Sequence, residues 1–241
     1  MASYTGRGVH GHVVHTLGAR VVGGALPEGA TVDLRLLGEE LGVSITVMRE
    51  AMKVLAGKGL VDARQKRGTF VRERRYWNLL DADIIRWQME SGRGQRMMRD
   101  LADVRSIIEP AAAHRAALGR TGEDLSALEA ALEAMSQART GTDQDAAEAD
   151  AAFHRALLNA TGNEMLARMD LLLEPGLRER DRVVHAHNQD DDPVPSHRAV
   201  FEAVRDQDPA RAELTMLDLL AKATHDLDQV TRVAASTQRD S

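Results

Sequence analysis

The sequence predicts a mainly α-helical fold in two modules: three helices and a β-hairpin first, then an all-helical bundle. Three observations predict it. Apolar residues recur at helical spacing along most of the 241 residues, and strand signals are confined to residues 60–71. Aromatic residues are only 3% of the chain, so its cores must be built from Leu, Ala, Val and Met, which favours helices. Charge is divided unevenly. Residues 1–75 carry 12 Lys+Arg against 7 Asp+Glu, a net +5, while the remainder nets −11. A basic module joined to an acidic one suggests that only the first meets a polyanion.

A first helix is predicted over Val9–Val22, with Val9, Val13, Val14, Leu17 and Val21 near one face. Gly23-Gly24 ends it, and Leu26-Pro27-Glu28-Gly29 is a turn. Leu34–Leu41 forms a short second helix, stopped by Gly42. Ser44 is a good N-cap for a third, whose core positions are Val47, Ala51, Val54 and Leu55. Gly59 ends that helix. Leu60–Arg64 and Thr69–Val71 then read as two strands around the turn Gln65-Lys66-Arg67-Gly68.

This order is the plan of a winged helix-turn-helix, in which the third helix enters the major groove of DNA. The expected DNA-facing residues are Arg35 on the second helix, Ser44, Ile45, Thr46, Arg49 and Lys53 on the third, and Arg64, Lys66, Arg67 and Gly68 at the hairpin tip. The expected partner is double-stranded DNA, though a short helical pair with a hairpin could also be plain structure. Arg72–Arg75 is a charged linker, and Tyr76–Trp87, with both tryptophans, reads as a segment packing the two modules together. The expected organisation is a DNA-binding module over 1–74, a linker over 75–95, a helical domain over 96–235 and a tail over 236–241.

Several function classes fall away. With no cysteine there are no disulfides, thiolate metal sites or cysteine nucleophiles. No segment resembles a signal peptide or the ~18 apolar residues of a membrane helix, so a cytoplasmic protein with no membrane partner is expected.

Helices are predicted at 97–118, 123–139, 144–160, 164–186, 196–206 and 209–230, with loops at Gly162-Asn163 and Asn188–Pro195. Polar residues interrupt their apolar faces. Arg105 lies within the stripe Leu101, Val104, Ile108, Ala112. Asp150 and His154, four residues apart, fall within Ala147, Ala151, Leu157, Leu158. His197 extends the face of Val200, Phe201 and Val204 by one turn. Buried charges without partners are costly, so these groups are expected either to be satisfied locally, Arg105 by Glu109 for example, or to face one another across a polar cavity. Asp and His at this spacing with a facing His suit a divalent metal, zinc or nickel. An arginine beside them suits a carboxylate. Arg180, inward-facing after Leu173 and Leu177, is a further candidate for that pocket.

The motifs Leu41-Gly42-Val43-Ser44, Met48-Arg49-Glu50-Ala51, Leu55, Gly59-Leu60-Val61 and Arg67-Gly68-Thr69-Phe70-Val71 resemble the DNA-binding domain of GntR-family regulators. Val104-Arg105, Glu109-Pro110, Asp150, Phe153-His154, Gly162-Asn163 and His197 resemble the effector-binding FCD domain of its FadR subfamily. Trp77–Trp87 is similar to the linker of galactonate and gluconate operon repressors. The resemblance implies a homodimeric repressor on a palindromic operator, released by a small carboxylate, a sugar acid. It implies Arg105 as the carboxylate anchor and Asp150, His154 and His197 at metal-ligand positions. Two departures stand out. Where many relatives carry a further metal-binding His in the last helix this chain has Leu219, and His225 lies off that face, so metal is expected to be weak or absent. Ile45 stands where relatives have Arg, so operator sequence should differ. Two other functions compete: a metal-responsive regulator, which the missing ligand opposes, and a metal-assisted hydrolase on the same three residues. The second lacks a clear nucleophile or base and leaves the basic module unexplained, so no enzyme is expected.

Overall fold

The computed structural model describes residues 8–138, 141–171, 173–174, 176–178 and 192–237. The chain divides into two compact units, Met1–Met97 and Met98–Ser241, each with its own apolar core.

In the first unit, α1 (Val9–Val22) has the predicted bounds. It buries Val13, Val14, Leu17 and Val21, while Val9 at its start is exposed. The next helix, α2 (Leu34–Glu40), is capped by Asp33, whose carboxylate accepts from the Arg35 and Leu36 amides. Ser44 caps α3 (Ile45–Gly57) as expected, its hydroxyl accepting from the Val47 amide at 3.3 Å. The buried face of α3 is Met48, Ala51, Met52 and Leu55. Val47 and Val54, placed in the core by periodicity, lie at its flank instead. Adjacent apolar residues leave the helix rotation undecided, and the unbranched methionines fill the inner positions.

The hairpin β1 (Val61–Arg64) and β2 (Gly68–Val71) is antiparallel, pairing Val61 with Val71 and Arg64 with Gly68. Its tip requires left-handed backbone at Lys66 and Gly68, with φ of 65° and 76°. Residues 75–95 are the segment expected as a linker. They contain a 3₁₀ turn at Arg74–Tyr76 and α4 (Ala82–Gln88), and Trp77, Ile84 and Trp87 are buried in the first unit's own core. Two features draw them in. Gly18 of α1 leaves the space that the Trp87 ring takes, since a Cβ there would lie 2.3 Å from the ring. The Trp87 indole N–H donates to His15 Nδ1 at 2.9 Å. Beside them, buried Lys58 donates to Asp81 at 2.8 Å and to Asp83 at 2.7 Å.

The helices of the second unit are α5 (Gly94–Gly119), which begins within the first unit's residues, α6 (Gly122–Ala138), α7 (Asp143–Asn159), the single turn α8 (Glu164–Ala167), α9 (Val194–Arg205) and α10 (Pro209–Thr237). Further helical residues lie within 170–178. The predicted helix over 164–186 is thus interrupted at residues 168–169, and its end, with Arg180, lies outside the described residues. Pro195, expected in a loop, is inside the first turn of α9, where its missing N–H costs no helical bond. The last helix runs on to Thr237, past its predicted end at 230 and into the expected tail. A capping box of Thr142 and Asp145 starts α7. The core joins Leu128 and Leu132 of α6, Phe153 and Leu157 of α7, Val200 and Phe201 of α9, and Met216 and Leu219 of α10.

Candidate functional site

All ten residues expected to face DNA are exposed on the first unit. The N-terminal half of α3 and the hairpin tip therefore present polar and basic side chains to solvent while the other faces build the core. Arg35 and Ile45 line one shallow groove between α2 and α3, with Gly38 and Val43. Ile45 is 39% exposed at the first position of α3. Arg49 is exposed one turn on, and Lys53 is held by Glu50 at 2.7 Å. At the hairpin, the Arg67 guanidinium lies 3.9 Å from the centre of the Phe70 ring and donates to the Gly29 carbonyl at 3.3 Å. Arg64 stands 5.4 Å from the same ring. Phe70 thus orients two of the tip's cations, a role the sequence pattern did not reveal.

In the second unit the structure brings together four of the five predicted pocket residues: Arg105 from α5, Asp150 and His154 from α7, and His197 from α9. All four are buried. Val104 and Ile108, expected on the inner stripe of α5, are only partly buried, and Arg105 and Glu109 take the innermost places. Glu109 is wholly buried and was missed as a pocket residue, although it sits one helical turn after Arg105.

The contacts define who donates to whom. Arg105 donates from Nε to Glu109 Oε1 at 2.7 Å and from Nη2 to Oε2 at 3.3 Å. The same Nη2 stands 3.0 Å from His154 Nε2. An arginine has no acceptor, so that contact needs a lone pair on Nε2. His154 Nδ1 is 2.9 Å from Glu109 Oε2, off the line of an ideal hydrogen bond. His197 Nδ1 lies 2.8 Å from the Pro193 carbonyl oxygen, which only accepts, so Nδ1 carries a proton. Its Nε2 is then turned to Asp150 Oδ1 at 3.0 Å. His154 Nε2 lies 3.6 Å from Asp150 Oδ2. Phe153 packs edge-on against His197, with ring centres 4.9 Å apart. Burial alone would raise the Glu109 carboxyl, but the charges and hydrogen bonds of Arg105 and His154 outweigh it and hold its pKa at about 2.

Ligand atoms of Asp150, His154 and His197 all lie within 4.8 Å of one another. Both imidazoles turn Nε2 inward; His197 Nδ1 is engaged by the Pro193 carbonyl, and His154 Nδ1 faces the Glu109 carboxylate without hydrogen-bond alignment. The arrangement at His197 is that of a metal-ligating histidine. The donor set fits a divalent metal as three ligands. Among the described residues α10 supplies no fourth ligand: Leu219 is packed in the apolar core and His225 is exposed.

Next to Arg105 is a cavity of about 40 Å³, walled by Leu101, Leu173, Leu177, Leu220 and Ala223, with Thr224 a second polar group. This is room for about one or two waters. Gly176 lets its segment close on α5, since a Cβ there would meet Leu101 at 2.4 Å. Among the described residues no helix is long and apolar enough to cross a membrane.

Comparison with known proteins agrees with both halves. The model of bacterial regulatory proteins, gntR family, matches residues 10–71, and that of the FCD domain matches residues 100–222. The chain is 32% identical over 224 residues to the galactonate operon transcriptional repressor of Escherichia coli K12, covering 91% of this chain and 96% of that one. It is 29% identical to the probable D-xylose utilization operon transcriptional repressor of Paenarthrobacter nicotinovorans, over 79% of this chain and 76% of that one. Among solved structures, the Listeria monocytogenes protein Lar, described as controlling the expression of the agr system, superposes with a TM-score of 0.66 at 17% identity, covering 93% and 99% of the two chains. Escherichia coli McbR/YncC superposes at 0.53 with 20% identity, over 92% and 98%. These two likenesses concern the fold.

Proposed function

We infer the function from one premise: this chain belongs to the GntR family of bacterial regulatory proteins, carries an FCD domain, and is a transcriptional regulator, not an enzyme. Our reading is that it represses genes of sugar-acid catabolism as a homodimer on a palindromic operator, and leaves that operator when a small carboxylate enters the FCD domain. The observation that carries this is the buried meeting of Arg105 with Asp150, His154 and His197. It supplies a cation for a carboxylate and a cluster of acceptors for the hydroxyls beside it. The 32% identity to a galactonate operon repressor supports galactonate or gluconate as the first acids to test.

Arg105 already shares its guanidinium with Glu109, so an effector carboxylate joins an existing pair rather than meeting a lone cation. Among the described residues the adjoining cavity is about 40 Å³, smaller than a six-carbon acid, so binding there would call for movement of its walls. Such movement is how a ligand could favour the arrangement that does not bind DNA. Asp150, His154 and His197 would hold a divalent metal here, and the metal would supply a Lewis-acidic centre for ligand oxygens. With no protein ligand from Leu219, such a metal would be held weakly.

The test uses mobility shifts on the promoter of the protein's own operon, with galactonate and gluconate, comparing wild type with Arg105→Lys. Lysine keeps a positive charge for Glu109 but loses the planar pair of donors, whereas alanine would strand a buried carboxylate at a cost of about 3–5 kcal/mol. Operator affinity should be retained and release should need about 10-fold or more of the acid, the loss expected of a bidentate contact. Release of Arg105→Lys at wild-type concentrations would place the carboxylate elsewhere.

A further inference from the structure

We propose that Glu109 is the positioning residue of this pocket: its carboxylate keeps the proton of His154 on Nδ1 and fixes the guanidinium plane of Arg105, so that His154 presents Nε2 inward as an acceptor. The proposal rests on the effector reading above for its consequence, but its geometry does not. Glu109 is wholly buried on α5, one turn from Arg105. Its two oxygens do different work. Oε1 accepts from Arg105 Nε at 2.7 Å, and Oε2 stands 2.9 Å from His154 Nδ1 and 3.3 Å from Arg105 Nη2. The 2.9 Å contact is off the line of an ideal hydrogen bond, so the direction is read from the other end of the ring: Arg105 Nη2 only donates, His154 Nε2 must accept, and the proton of the neutral ring lies on Nδ1, beside the accepting carboxylate. With Nδ1 protonated, the neutral ring has its lone pair on Nε2, where Arg105 Nη2 donates at 3.0 Å. One residue thereby sets the direction of both contacts. A role limited to balancing the charge of Arg105 would need only one of them.

Glutamine breaks this arrangement without changing its size, because it has one acceptor oxygen where glutamate has two. The oxygen goes to the charged Arg105, and the amide N–H then points at His154 Nδ1, which must accept. The proton of His154 moves to Nε2, where it opposes the Arg105 donor. Aspartate keeps both oxygens on a shorter stem.

The experiment is a long-range proton–nitrogen correlation spectrum of the full-length protein with isotope-labelled histidine at neutral pH, with the His154 signals assigned by His154→Gln. Wild type should show the Nδ1–H form at His154, Glu109→Gln the Nε2–H form, and Glu109→Asp a recovery of Nδ1–H. Operator binding of each variant reports its fold, and in Glu109→Gln the galactonate concentration for release should rise about 10-fold or more, the usual size of such outer contacts. An Nε2–H ring in wild type, or Nδ1–H persisting in Glu109→Gln, overturns the proposal. Should Glu109→Gln not fold, wild type and Glu109→Asp decide it, since an Nε2–H ring in either overturns it. If galactonate fails to release even wild type, the choice of effector is wrong, while the spectra still judge Glu109.

Discussion

Glu109 is buried and ionised, and this has a consequence in acid. Its carboxyl titrates near 2 in the folded protein and near its ordinary 4.5 in the unfolded chain. Between those values the unfolded state binds a proton that the folded state does not. The stability this group contributes is therefore whole above about pH 5 and is lost as pH falls toward 2, by roughly 3 kcal/mol in all. Urea unfolding of wild type and Glu109→Gln at pH steps through that range checks it. The variant should lose less stability on acidification than wild type, and equal slopes would refute the assignment. At this scale the sequence was legible where chemistry contradicted pattern: Arg105, Asp150, His154 and His197 stood out because each interrupts an apolar stripe. Glu109 interrupts the same face, but its spacing to Arg105 also explains a local ion pair, and only its distance to His154 shows a second partner.

At the scale of elements, α4 and the turn before it belong to the DNA-binding unit. A fragment ending at Arg74 lacks Trp77, Ile84 and Trp87 and leaves Lys58 buried without Asp81 and Asp83. It should be less stable than a fragment ending at Met97 by several kcal/mol, as loss of a buried ion-pair partner alone costs about 3–5. Thermal melts of the two fragments measure this, and equal melting temperatures would return 75–95 to the status of a linker. On α10, Leu219 holds the face expected of it, buried with Met216 and Leu220. If that face serves the metal-ligand cluster, Leu219→His should tighten zinc binding by about 10-fold or more in competition with a chelator, the scale on which ligation shells act. Unchanged zinc affinity would mean that the face of α10 does not reach Asp150, His154 and His197. The helices themselves were legible because 3.6-residue periodicity survives in α1, α6, α7 and α10. The rotation of α3 was not, since Val47, Met48, Met52 and Val54 satisfy two registers equally well.

For the whole molecule, a first unit of +5 and a remainder of −11 confine the attraction for DNA to one end of the chain. Operator affinity should fall steeply with salt, log K against log salt having a negative slope that grows with the number of phosphates contacted. Arg49→Ala should cost about 1–3 kcal/mol of operator binding if Arg49 reaches a base or phosphate. Footprinting on the operon promoter should show two half-sites related by a two-fold axis, about 10 base pairs or a multiple apart. A single unpaired half-site would count against the dimer, and full affinity of a folded Arg49→Ala would remove that residue from the reading surface.

What the sequence determined by itself was the kind of protein: element order, the hairpin with its basic tip, and four polar residues aimed into an apolar bundle. These are local or periodic properties, written within a few turns of chain. Only the tertiary structure decided which groups meet. It put Trp87 in the space left by Gly18, and Lys58 between Asp81 and Asp83. It set His154 between Glu109 and Arg105, and His197 against Asp150. Each of these pairings lies within one unit at a spacing that no helical or strand period encodes, and His197 reaches Asp150 because α7 and α9 share a core. Burial then selects the partner, because a charge or N–H removed from water must find one wherever the packing brings it.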